Sequence, residues 1–149
     1  MILDGLLALS AAQAPTTGST ASTNVIDLSV ARDMGVGDNP AMEVLCRVAT
    51  TFTSGGAGTL QVQVQGSTDN STFYTMAQSM VYALAALTRG AELINFSLPS
   101  PGAGQAIPRY LRLLYVIATA DMTAGAINAY LVLDRNRQLA YPPGIVIAN

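Results

Sequence analysis

Nine carboxylates, Asp4, Asp27, Asp33, Asp38, Glu43, Asp69, Glu92, Asp121 and Asp134, are the side chains of this sequence best equipped for chemistry. Two of them at the right separation could divide acid and base work, as in glycoside hydrolysis. Most, however, fall at expected strand ends or in turns, where Asp is an ordinary capping or turn residue. The 149-residue chain has no histidine. That removes the usual general base, the Ser-His-Asp and Cys-His arrangements and the commonest zinc ligand. The one cysteine, Cys46, lies in the apolar run MEVLCRVATTF with no histidine to activate it, and reads as a buried structural thiol. DMGVGDNP, residues 33–40, has neither the lysine of a phosphate loop nor the oxygen spacing of an EF-hand. GSTDNST, residues 66–72, could hold a cation through Asp69 and Asn70, but turn chemistry accounts for the same residues. The expectation is a chain that is not an enzyme, with no metal site and no cofactor.

Tyr74, Tyr82, Tyr110, Tyr115, Tyr130 and Tyr141, without a tryptophan, raise a glycan-binding platform. Sugar sites need aromatic faces beside paired polar groups, and these tyrosines read instead as fillers of a core or a subunit interface. NST at Asn70 and NFS at Asn95 match the glycosylation pattern, which has meaning only on secretion. The opening MILDGLLALSAAQA lacks the positive start of a signal peptide, and Asp4 interrupts its apolar part. No apolar run approaches the roughly 18 to 20 residues of a membrane span.

Charged residues make up 11% of the chain, against roughly 25% in ordinary soluble domains. All seven basic residues, Arg32, Arg47, Arg89, Arg109, Arg112, Arg135 and Arg137, are arginine. Arginine is the cation enriched at protein interfaces and lysine the one depleted there; compositional bias is the plain alternative. Nothing forms a basic stripe, and the net charge is −2, so nucleic acid is not the expected partner. Few charges and many small residues give a solitary molecule weak protection against self-association, which favours life in an assembly.

The elements that must position these residues are short and extended. VIDLSV (residues 25–30) reads as a strand. MEVLCRVATTF alternates, with Met42, Val44, Cys46 and Val48 on one face, and SGGAG reads as a hairpin turn into Leu60–Gln65. In TLQVQVQGSTDNSTFYTM, Leu60, Val62 and Val64 alternate with Gln61, Gln63 and Gln65, a strand whose outward face is neutral glutamine. MVYALAAL reads as loop, short helix or irregular strand before a strand at Ile94, Phe96 and Leu98. RYLRLLYVIA places Leu111, Leu113, Tyr115 and Ile117 on one face and Tyr110, Arg112, Leu114 and Val116 on the other, whose single charge suggests cover on both sides. AINAYLVLD then returns with Ile127, Ala129, Leu131 and Leu133 on one face. Short strands at regular spacing, without a long helix, predict an all-β sandwich or jelly roll. The expected division is an N-terminal arm (1–24), a β-sandwich domain (25–134) and a C-terminal segment (135–149).

MILDGLLALSAAQA, STNVIDL with ARDMGVGDNP, LQVQVQGSTDNSTF and LPSPGAGQAIPRYLRLLYVIATADMTAGAINAYLVLD, in that order, resemble the capsid cement proteins of tailed bacteriophages, the Bordetella phage type. The resemblance runs over nearly the whole chain. It implies a jelly-roll fold, no catalysis, and a place on the outer face of an icosahedral head, where homo-oligomers, dimers or trimers, bridge neighbouring copies of the major capsid protein. Glutamine suits such a face, because it hydrogen-bonds without the desolvation cost of a charge. Capsid contact is assigned to the arm, with Met1, Ile2, Leu3, Leu6 and Leu7, and to Arg135, Arg137 and Tyr141 as C-terminal anchors. The other reading of residues 1–9 is a strand or short helix on the chain's own core. Deletion of residues 1–14 decides between them, since an arm can be lost without unfolding. A tail or baseplate component is the nearer rival function, and a glycan-binding module the more distant one.

Overall fold

The structure, a computed structural model, describes residues 5–31, 42–94 and 96–133. A 3-10 turn at Gly5–Leu7 leads into β1 (Ala8–Gln13), β2 (Ser19–Ala21) and β3 (Ile26–Asp27). The long β4 (Met42–Ser54) and β5 (Thr59–Ser67) follow, then β6 (Tyr74–Gln78), β7 (Tyr82–Ala83), a 3-10 turn at Leu84–Ala86, and β8 (Glu92–Ile94). The described chain ends with β9 (Tyr110–Ala118) and β10 (Met122–Leu133).

These strands form two antiparallel sheets. The smaller has the order β1-β10-β4-β8 and the larger β2-β9-β5-β6, with β3 also on β9 and β7 also on β5. In the larger sheet β2 and β3 lie in tandem along one edge of β9, at Leu114–Val116 and Tyr110–Leu111. Likewise β6 and β7 lie in tandem along β5. The protein is an all-β sandwich, as the alternation predicted.

One core joins the sheets. Leu60, Val62 and Val64 of β5 and Leu111, Leu113, Tyr115 and Ile117 of β9 cluster with Val44, Cys46 and Val48 of β4 and Ile127, Ala129 and Leu131 of β10. Each Val, Leu or Ile among them contributes roughly 1.5–3 kcal/mol on full burial. Cys46 is fully buried, and that burial pushes its thiol pKa far up, so it is a small core residue rather than a nucleophile.

The SGGAG connection differs from expectation. β4 and β5 are not a hairpin, because β4 bonds to β10 and β8 in one sheet while β5 bonds to β9, β6 and β7 in the other. The chain crosses from sheet to sheet at residues 55–58, and β9 to β10 crosses beside it. Ser54 Oγ donates to Asp121 O at 2.6 Å, and the Thr53 and Thr123 hydroxyls pair at 2.8 Å. Alternation fixes which face of a strand is buried, and both arrangements bury the same face. VIDLSV also contracts, to Ile26–Asp27. MVYALAAL becomes the two-residue β7 and a 3-10 turn.

Residues 5–24, expected to act as an arm, carry strands of both sheets. β1 pairs with β10 and β2 with β9. The alternation in ALSAAQ is hidden by a buried serine. Leu9 enters the core, while Ser10 is buried through a polar chain. Ser10 Oγ donates its one hydroxyl hydrogen to Gln13 Oε1 at 2.7 Å, so the Tyr115 hydroxyl, whose pKa burial raises, donates to Ser10 Oγ at 2.8 Å. Gln13 Oε1 also accepts from Thr23 N at 2.9 Å, and Gln13 Nε2 donates to Ala21 O at 2.7 Å. The chain ties β1 to β9 across the sandwich and leaves each member a partner, as a buried hydroxyl requires.

Candidate protein interface

Of the contact residues assigned from sequence, Met1, Ile2, Leu3, Arg135, Arg137 and Tyr141 lie outside the described residues. Leu6 is 87% exposed on the first 3-10 turn, whereas Leu7 packs against the core. Of that set, then, only these two are described, one exposed and one against the core.

What it does assemble is the outer face of the larger sheet. Antiparallel pairing puts Gln61 opposite Val116, Gln63 opposite Leu114 and Gln65 opposite Arg112. Ser19 and Ala21 extend the face on one side, opposite Val116 and Leu114. Thr75 and Gln78 extend it on the other, opposite Gln65 and Gln63. Because Leu60, Val62, Val64, Leu113 and Tyr115 fill the core, the pleat directs these alternate residues outward. Gln61, Gln63, Ala21, Arg112, Leu114 and Val116 are half-buried.

The glutamine amides are held in place. Gln61 Nε2 donates to Ser79 O at 3.1 Å, and Gln63 Oε1 accepts from Thr75 Oγ1 at 3.1 Å. Gln65 Oε1 accepts from Arg112 Nε at 2.9 Å and is itself buried. The Arg112 guanidinium carbon lies 3.6 Å from the Phe73 ring centroid. Desolvation lowers the Arg112 pKa from its ordinary value, but an arginine stays charged throughout the physiological range.

Beside this face, just before β9, Arg109 grips Asp27 of β3 through two parallel hydrogen bonds, Nε to Oδ1 at 2.8 Å and Nη2 to Oδ2 at 2.9 Å. The Arg109 hydrogen bond is the main reason the Asp27 carboxyl titrates below the usual range. On the smaller sheet Arg47 pairs with Glu92. The turn between β5 and β6 is closed by Asp69, whose Oδ1 accepts from Ser67 Oγ and Ser71 N at 2.9 Å each and from Thr72 N at 2.8 Å. That explains GSTDNST as turn chemistry. Among the described residues no group of three or more His, Cys, Asp or Glu could hold a metal ion. No described helix is long and apolar enough to cross a membrane.

Sequence reasoning saw both halves of this face, the glutamines of β5 and the single charge of β9. It did not join them, since no local signal gives the register between strands far apart in the chain.

No curated protein matches the sequence. The family model named Bbp16 matches residues 9–131, from β1 through most of β10, and so covers both sheets. With a match across most of its 149 residues, the chain belongs to Bbp16, a family of Bordetella phage proteins.

Proposed function

We propose that this protein is a structural component of the virion that binds the outer surface of a tailed-phage icosahedral capsid and cements neighbouring major capsid protein subunits. The observation that carries the reading is the outer face of the larger sheet, where oriented glutamine amides flank half-buried Leu114 and Val116 around a single cation. A face with few charges and ready hydrogen-bonding groups suits a wet protein contact. Membership of a phage family supplies the setting.

The strand order supports the jelly-roll form of the sandwich. If β2 with β3 and β6 with β7 each count as one broken strand, the chain makes two four-stranded sheets. Its ends then pair next to each other, β1 on β10 and β2 on β9, which is the double-sheet wrapping of that fold.

The mechanism is additive adhesion without catalysis, cofactor or nucleic acid. A shell presents many equivalent sites, and a homo-oligomer, dimer or trimer, joins several at once, so modest contacts multiply through effective concentration. The test mixes the purified protein with expanded heads lacking it. Stoichiometric co-sedimentation and a raised head melting temperature support cementing, and light scattering of the free protein gives the oligomer. Failure to bind heads, with the protein found at one vertex of the particle, transfers the assignment to a tail or baseplate component. Retention on a sugar matrix with no effect on heads transfers it to a glycan binder.

A further inference from the structure

Arg112 is a half-buried cation that has no carboxylate partner among the described residues. Arg47 and Arg109 each have one, in Glu92 and Asp27. The Arg112 side chain is nonetheless fixed, by Gln65 Oε1 at its Nε and by the Phe73 ring against its plane. Among the described residues its two Nη groups have no hydrogen-bond acceptor. Ordering and partly dehydrating a guanidinium costs free energy that its own anion would offset. A fork held this way, with its outer donors unused, is prepared for a planar two-oxygen acceptor.

The surroundings narrow the choice of anion. On one side of Arg112 along β9 stand Leu114 and Val116, with Gln63 and Gln61 across the ladder. On the other stands Tyr110, under an Arg109 guanidinium 4.9 Å from its ring centroid that Asp27 already neutralises, so no second unpaired cation occupies this strip. Nucleic acid binding draws on several phosphates and several cations together, which this strip does not offer. A second copy meeting the same face about a two-fold axis would bring two Arg112 guanidinium groups towards each other. An acidic side chain on a protein surface that also carries apolar and neutral hydrogen-bonding groups matches both the charge and its neighbours.

We propose that this face, centred on Arg112, docks a partner protein through an Asp or Glu side chain that closes on the Nη groups while adjoining apolar side chains cover Leu114 and Val116. The proposal deepens the virion reading and rests on it for its partner. The chain has no lysine, so R112K places the sole side-chain amine of the protein at this site. Purified particles of a phage carrying that allele would be treated with a carbodiimide, which condenses an amine with a carboxylate, with loss of water, into an amide. The expected product links the peptide containing residue 112 to an Asp or Glu of another virion protein, identified by mass spectrometry. In parallel, R112Q should bind particles lacking the protein at least about tenfold more weakly than wild type, the loss expected for a central charged anchor. Its own melting temperature should stay within a few degrees of wild type, which separates docking from folding.

An amide formed only between copies of this chain overturns the proposal. So does wild-type binding by R112Q together with no amide, in which case the virion reading survives. Absence of the wild-type protein from purified particles is a different failure, because it removes the virion reading and the docking proposal together.

Discussion

Two residues show how single side chains set the stability of this sandwich. Gly125 has φ +132°, a conformation that side-chain-bearing residues rarely adopt, and a Cβ there would stand 2.2 Å from Phe52 Cδ1. Phe52 is buried and cannot swing into solvent without leaving a hole. Gly125→Ala should therefore destabilise by about 3 kcal/mol, from overpacking and backbone strain together. That corresponds to a melting temperature lower by about 10 °C. Part of the loss should return in the Phe52→Leu, Gly125→Ala double variant, and full additivity of the two would contradict the contact. Asp69 acts through charge. Three hydrogen bonds, led by that from Thr72 N, hold its pKa at about 2, against 3.8 ordinarily. A depressed carboxylate stabilises the fold above its unfolded pKa and loses that contribution as pH falls through the folded one. Asp69→Asn should melt below wild type at neutral pH, and thermal melts should show the gap closing as pH falls from about 4 to about 2. A gap independent of pH would assign the turn's stability to shape alone.

At the scale of elements, β1 is where the two readings of the N-terminal residues, arm or strand on the chain's own core, part. It supplies Leu9 to the core and Ser10 to the hydroxyl of Tyr115, and it closes one edge of β10. Removing residues 1–14 deletes a buried leucine and orphans a buried tyrosine hydroxyl, a loss of about 5 kcal/mol. That is comparable to the whole stability of a small domain. Circular dichroism and near-ultraviolet spectra of this truncation should show loss of tertiary structure, while a cooperative melt near that of wild type would restore the arm reading. The sequence left β1 open between arm and strand because its inward Ser10 breaks the alternation on which strand assignment rests. By contrast β5, β9 and β10 were legible, since their inward positions are uniformly apolar. The pairing of β4 with β10 rather than β5 was not legible, because glycines at residues 55–58 serve an arch as well as a hairpin. The outer face of the larger sheet followed the same pattern, its residues visible one strand at a time and their assembly invisible until the register of β5 on β9 was known.

Considered whole, the sandwich is closed by contacts between distant parts of the chain, β1 with β10 and β2 and β3 with β9. Loop closure must precede the burial that rewards it, and such folds form in milliseconds to seconds. Stopped-flow refolding of the full chain should fall in that range, and a microsecond relaxation would mean that a local substructure forms alone. The same wrapping leaves the larger sheet with rims made of fragments: three residues of β2 and two of β3 on one side, five of β6 and two of β7 on the other. A rim interrupted every few residues offers an incoming strand no continuous ladder to extend. A concentrated solution of this protein should thus stay free of fibrils seeded by the annealing of its larger sheets.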